Sequence, residues 1–232
     1  MTPLRLPRGL YGVTPEWDDT DRLLRAVEQA AAGGMTALQL RRKHASVAKR
    51  REQASRLAPL CRALGVVFLV NDYWELALEV DAAGVHLGRD DTGLAEVRAQ
   101  APDIIIGASC YADLDRASAM LDAGADYIAF GAIFPSTVKP QAARAGLDLL
   151  GAARALAQRR AAPGVDGSSV TRPRPAVVAI GGITPDNAGA VAQAGADAAA
   201  IITGLFGAPD VQAAAQACTD AFATAPRPGG PA

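Results

Sequence analysis

The polar residues that could do chemistry in this 232-residue chain stand directly after runs of apolar ones. Arg41, Arg42 and Lys43 follow "ALQL", Asn71 and Asp72 end "VFLVND", and Asp91 closes "GVHLGRDD". Ser109 ends "IIIGAS", Lys139 ends "AIFPSTVK", and the turns "GGIT" (181–184) and "ITG" (202–204) follow two further apolar runs. Cations and carboxylates gathered in this way suit a polyanion that carries a divalent cation. Magnesium takes one or two protein carboxylates and completes its octahedron with water and phosphate oxygens. Asp72 and Asp91 would supply those carboxylates, while Arg41 and Lys43 would neutralise diphosphate oxygens, the guanidinium in a bidentate manner. Glycine in the last two turns lets backbone N–H groups approach a second phosphate with no Cβ in the way. Two anion sites, one with a metal and one without, imply two phosphorylated groups.

Such residues act together only if the chain brings its apolar runs side by side. The strand candidates are 10–14, 37–41, 67–71, 84–88, 104–109, 127–131, 176–182 and 198–204, and the segments between them have helical spacing, as at Leu23, Leu24, Val27 and Ala31. Junctions such as "DAAGVHLG", "DAGADYIAFG" and "QAGADAAAII" each put glycine between an Ala-rich helix end and the next strand. Glycine just past a helix adopts the left-handed conformation that ends it. Continuous apolar strands alternating with helices predict an α/β fold, a single-domain (β/α)8 TIM barrel, ahead of a doubly wound open sheet. In that barrel the chemistry lies beyond the C-terminal strand ends, where all the residues named above fall. The expected domain is 1–223, with a Pro/Gly/Ser-rich connection at 161–176 on the opposite face and a disordered tail at 224–232.

Other classes are excluded or left without support. A net charge of −1 gives nucleic acid or an anionic membrane no electrostatic footing, and the basic run at 49–51 reads as a solvated helix face. No apolar stretch reaches the roughly 20 residues of a membrane span. The start "MTPLRLPRGLYGVT" has no secretory h-region, and the expected location is cytoplasmic. Cys61, Cys110 and Cys218 lie far apart, with no CxxC pair, and read as reduced thiols. His86 falls inside a strand and reads as a buried, satisfied histidine. Tyr11 could face the pocket but reads first as packing. A homo-oligomer is compatible with the sequence.

The pieces "LQLRRK", "NDYWELALEVDAAGVHLGRDD", "GASC", "GADYIAFGAIFPSTVKP", "AIGGITPDN" and "GADAAAIITGLFGAPD" occur in the order and at the strand ends of a known family. From "LYGVT" onward the chain resembles thiamine phosphate synthase (thiamine-phosphate pyrophosphorylase). The resemblance implies a transferase that joins 4-amino-5-hydroxymethyl-2-methylpyrimidine diphosphate to a thiazole phosphate, releasing diphosphate with the help of Mg2+. It implies that Gln39, Leu40, Arg41, Arg42, Lys43, Asn71, Ser109 and Lys139 contact the pyrimidine diphosphate, with Arg41, Lys43, Lys139 and Ser109 catalytic. It further implies that Asp72 and Asp91 bind the metal, and that Ser136, Thr137, Val138, Gly181 or Gly182, Ile202 and Thr203 hold the thiazole phosphate. Arg42 stands where the family usually has Glu, and Val138 where it usually has Thr. "GASCYAD" departs from the more usual Ser-Thr-His version. The related thiazole tautomerases place a proton-transfer histidine two positions after the Ser109 equivalent; Tyr111 stands there in this chain. A non-catalytic phosphate-binding barrel is the remaining alternative.

Overall fold

Alternating in-and-out side chains along eight parallel strands determine where every functional group points. The computed structural model describes residues 4–89, 91, 93–135, 144–161 and 173–225. The strands are β1 (Gly9–Val13), β2 (Met35–Leu40), β3 (Val67–Asn71), β4 (Gly84–Leu87), β5 (Ile105–Tyr111), β6 (Tyr127–Phe130), β7 (Ala176–Ile180) and β8 (Ala198–Ile201). They form a closed barrel in sequence order, with β1 pairing to β2 on one side and to β8 on the other, Leu10 lying against Ala199. The helices are α1 (Thr20–Ala32), α2 (Val47–Leu64), α3 (Trp74–Glu79), α4 (Leu94–Gln100), α5 (Leu114–Asp122), α6 (Leu147–Ala161), α7 (Ala188–Gln193), α8 (Thr203–Phe206) and α9 (Val211–Thr224). Each of the eight predicted strands is present, and the barrel, not the open sheet, is the architecture.

Two apolar layers follow from the strand period of two. Leu38, Leu40, Phe68, Val70, Val85, Leu87, Ile106, Ile128 and Phe130 point outward and bury against the helices. Tyr11, Ala37, Leu69, Ile105, Tyr127, Ala129, Val178 and Ala200 point into the barrel. Four helices start on aspartate or serine caps, with Asp19, Ser46, Asp113 and Asp210 each accepting from the amide three residues on. A Cβ on Gly107 of β5 would lie 1.8 Å from Cζ of Tyr127, so only glycine leaves room for that ring inside the barrel.

The "GAD" junctions do more than turn the chain. Asp126, before β6, accepts from the Ile106 N–H at 2.9 Å and pairs with Arg5 and Arg98 at 3.1 and 2.6 Å. Asp197, before β8, repeats the arrangement on the Val177 N–H at 2.9 Å, with Arg154 and Arg174 at 2.8 and 2.6 Å. Both aspartates clamp the start of a neighbouring strand at the barrel's N-terminal face. The basic run at 49–51 is not uniformly solvated as expected: Arg50 is buried, stacks over Tyr73 at 3.7 Å and donates to the carbonyls of Arg42 and Ala45. Residues 162–172 of the expected connection and 226–232 of the expected tail lie outside the described residues. α9 runs through Thr224, and Ala225 is buried.

Asp197 has a side chain only 4 % exposed. Asp197→Ala removes the buried carboxylate that Arg154 and Arg174 share and is expected to lower stability by about 3–5 kcal/mol in urea unfolding, with substrate KM unchanged because the clamp is at the far end from the rim.

Candidate active site

A cavity of about 600 Å3 opens at the C-terminal end of the barrel. Its wall includes Gln39, Arg41, Lys43, Asn71, Asp72, Ser109, Gly181, Gly182, Ile202 and Thr203, so residues scattered over more than 160 sequence positions are gathered at one mouth. Gln39 and Asn71 are inward residues of β2 and β3, and each is 5 % exposed. The Asn71 Nδ2 is buried with no hydrogen-bond partner, a donor left over for a ligand.

Two of the expected contacts do not reach the cavity with their side chains. Leu40 is outward, packed between the sheet and the helices. Arg42, with a side chain 1 % exposed, is turned away from the cavity and paired with Glu16 at 3.5 Å and with Asp18. Alternation is the reason: Arg41 and Lys43 face the mouth, so the residue between them cannot. The charge of Arg42 is balanced by these two carboxylates and is directed away from the cavity. Glu16 also accepts from the Lys43 N–H at 2.9 Å and lies 3.8 Å from the Arg41 guanidinium. It ties the loop after β1 to the cationic loop after β2. Ser136, Thr137, Val138 and Lys139 lie outside the described residues.

Asp72 follows β3 in the left-handed region at φ 67°, its N–H donating to the His86 carbonyl at 2.9 Å. A non-glycine residue there costs on the order of 1 kcal/mol and is a common mark of a functional turn. The turn directs the Asp72 carboxylate to within 3.4 Å of the Lys43 Nζ. Asp91 does not itself line the cavity; its carboxylate accepts from the Gly88 N–H, and it stands within hydrogen-bond reach of the Asp72 side chain. Burial, followed by Asp91, raises the Asp72 carboxyl from its ordinary range to about 6, against the opposing pull of Lys43.

A half-buried carboxylate whose ionisation is opposed by burial and by a neighbouring carboxylate fits a divalent cation, which would offset both. Among the described residues no group of three or more His, Cys, Asp and Glu is placed to hold a metal. The pair therefore suits an ion that takes the rest of its ligands from water and substrate, as magnesium does.

The opposite wall is backbone. Gly181 and Gly182 have φ of 101° and 64°, and a Cβ on either would come within 2.6 Å of Ala132 or 2.3 Å of the Pro135 carbonyl. The turn is held from below, Asn187 accepting from the Thr184 N–H and donating to the Gly182 carbonyl. Gly204, at the start of α8, meets the same restriction, 2.5 Å from the Ile183 carbonyl. The result is a polar backbone surface with Thr203 beside it.

Sequence reasoning underrated the floor. Tyr11 is not merely packing: it lines the cavity and its hydroxyl accepts from Gln39 Nε2 at 2.7 Å. His86 is buried and satisfied, as expected, with its ring nitrogens 2.9 Å from the Tyr127 hydroxyl and 2.8 Å from the Ser109 Oγ. Tyr127 carried no site signal, since a tyrosine in an apolar strand reads as core. At the mouth, Tyr111 lines the cavity and carries the exposed Arg89 over its ring at 4.7 Å. All three cysteines are buried and free, and burial pushes the Cys61 and Cys110 thiols up to about 12 and that of Cys218 to about 11, which removes thiolate chemistry from consideration.

A family model described as thiamine monophosphate synthase matches residues 10–205, the whole span that builds this rim. The chain belongs to the thiamine monophosphate synthase family. It is 66% identical over 222 residues to the thiamine-phosphate synthase of Bordetella avium (strain 197N), covering 96% of this chain and 98% of that one. It is 49% identical to the thiamine-phosphate synthase of Thiobacillus denitrificans over 95% of this chain and 97% of the relative. The thiamine phosphate pyrophosphorylase structure from Pyrococcus furiosus superposes with a TM-score of 0.78 at 34% identity, covering 94% and 97% of the two chains. The family is one of transferases in thiamine biosynthesis, and this chain is such an enzyme.

The raised Asp72 carboxyl has a consequence for the ligand-free protein. Its folded value of about 6 lies above the ordinary aspartate range, so the folded form binds this proton more tightly than the unfolded one. The ionised group opposes folding fully above about pH 6 and ceases to do so below its unfolded value. Asp72→Asn is therefore expected to raise Tm at pH 8, with the advantage shrinking as pH falls through 6 towards 4. A pH series of thermal melts checks it.

Proposed function

We propose that the enzyme condenses 4-amino-5-hydroxymethyl-2-methylpyrimidine diphosphate with a thiazole phosphate, giving thiamine phosphate and diphosphate, in the cytoplasm and with Mg2+. The reading is carried by one observation above all: Lys43, Arg41 and Asp72 gather on one side of the mouth, with Asp91 next to Asp72, while glycine backbone forms the other. The first side suits a diphosphate with its counter-ion, and the second suits a monophosphate.

In this reading the C–O bond between the pyrimidine methylene and the diphosphate breaks, its electron pair leaving with the diphosphate. The thiazole nitrogen lone pair then forms the new C–N bond, and no protein nucleophile is required. Arg41 and Lys43 neutralise the charge gathering on the leaving group, electrostatic work in a partly enclosed site where it counts for more than in water. The resemblance adds Lys139 to that role. Asp72 and Asp91 would hold the magnesium ion, whose Lewis acidity supplies further charge stabilisation on phosphate oxygens. Asn71 Nδ2, buried and unpartnered, donates to the pyrimidine diphosphate. Gln39 and Ser109 meet the ring at the cavity floor. Gly181, Gly182, Ile202 and Thr203 position the thiazole phosphate so that the nitrogen faces the methylene, a proximity contribution added to the electrostatic one. Val138 and its neighbours Ser136 and Thr137 would complete that side.

Incubation with both substrates is expected to yield thiamine phosphate only when Mg2+ is present; no product at any metal concentration would exclude the reading. Asp91→Ala is expected to shift the Mg2+ dependence of turnover to concentrations at least tenfold higher, about the loss that accompanies one missing charged partner. An unaltered metal titration would remove Asp91 from the site.

A further inference from the structure

Four hydrogen bonds run in series beneath the cavity and join two residues that both face it. Gln39 Nε2 donates to the Tyr11 hydroxyl at 2.7 Å, and the Tyr11 and Tyr127 hydroxyls are 2.9 Å apart. The Tyr127 hydroxyl is 2.9 Å from His86 Nδ1, and His86 Nε2 is 2.8 Å from Ser109 Oγ. The rings that carry the chain are fixed by packing. Tyr127 stacks on His86 with planes 25° apart, meets Tyr11 edge-on, and occupies the space that Gly107 leaves.

A neutral phenol has one hydrogen and a neutral imidazole has one N–H. Burial first of all pushes the Tyr11 and Tyr127 hydroxyls far above the usual phenol range, so both stay protonated. Each hydroxyl has one hydrogen, and a buried hydroxyl hydrogen without an acceptor is costly, so the links align. With Gln39 donating, Tyr11 satisfies its own hydrogen by donating to Tyr127, and Tyr127 by donating to His86 Nδ1. His86 then carries its proton on Nε2 and donates to Ser109, whose own hydrogen is left over for the cavity. The other arrangement that uses every hydrogen within the chain is the complete reverse, with the Gln39 amide turned over, His86 protonated on Nδ1 and Ser109 donating inward.

We propose that Gln39, Tyr11, Tyr127, His86 and Ser109 form a single polarised hydrogen-bond chain that makes the cavity present an acceptor at Gln39 and a donor at Ser109 together. Tyr11, Tyr127 and His86 are positioning residues in it: they hold the Ser109 hydroxyl in its donating orientation. Resting on the proposed reaction, the inference specifies the ring the floor selects. It is a flat heterocycle with an N–H donor towards Gln39 and an unprotonated ring nitrogen towards Ser109, as an aminopyrimidine offers. A ring with the opposite pattern would have to reverse all four bonds at once.

His44 is the only histidine besides His86, so 15N NMR of the ligand-free protein, assigned with a His44→Gln variant, reads the chain directly. At pH 8 His86 is expected as the Nε2–H tautomer. Gln39→Glu replaces the donor at one end by a carboxylate that only accepts, and is expected to turn His86 to Nδ1–H four bonds away. Nδ1–H in the unaltered protein, or retained Nε2–H in Gln39→Glu, overturns the proposal. A kinetic cycle gives a second measurement that does not depend on tolerating the carboxylate. Tyr127→Phe should lower kcat/KM for the pyrimidine diphosphate about tenfold, the scale of one hydrogen bond, and leave KM for the thiazole phosphate alone. In a Ser109→Ala background it should cost nothing further, and an undiminished additional loss overturns the positioning role. Should no form of the protein turn over these substrates, the proposed reaction fails while the tautomer measurement still decides the chain.

Discussion

Closure of β1 onto β8 commits every strand to one face inside the barrel and one against the helices. With no sheet edge left over, a side chain's position in the strand determines whether it meets solvent, core or cavity. That single constraint separates Gln39 and Arg41 from Leu40 and Arg42, and places His86 inside while Val85 and Leu87 stay out. It also explains why inward polar residues near the C-terminal strand ends pair with one another: buried apolar side chains fill the barrel around them, and a buried polar group without a partner is costly.

Most of the architecture was legible from sequence because its signals are local. Apolar strands, Ala-rich helices and glycine at each junction repeat along the chain, and a repeated pattern is hard to misread. The rim residues were legible for a related reason, since each directly follows a strand. Arg42 was misplaced because three consecutive basic residues look alike until the alternation of the strand is continued past its end. Arg50 was misplaced because its burial depends on Tyr73, which comes from another βα unit.

What could not be read are contacts between strands. Tyr11 and Tyr127 are 116 positions apart, and nothing local distinguishes a tyrosine that packs from one that passes a hydrogen bond. The Asp126 and Asp197 clamps are a milder case. Their "GAD" context repeats visibly, but the arginines that complete them come from four separate places in the chain. Glu16, likewise, is an unremarkable loop acid until β1 and β2 are set side by side and it is found bridging to three successive residues.

The two clamps sit at the end of the barrel where no substrate arrives. Mechanical integrity and chemistry are thus mounted on opposite ends of the same eight strands. A change at the rim, at Arg42 or in the loop that Tyr111 begins, touches none of the fastenings that keep the barrel shut. The arrangement also marks a boundary for anyone shortening the connection before β7. Arg174, paired with Asp197, is a fastening and must remain.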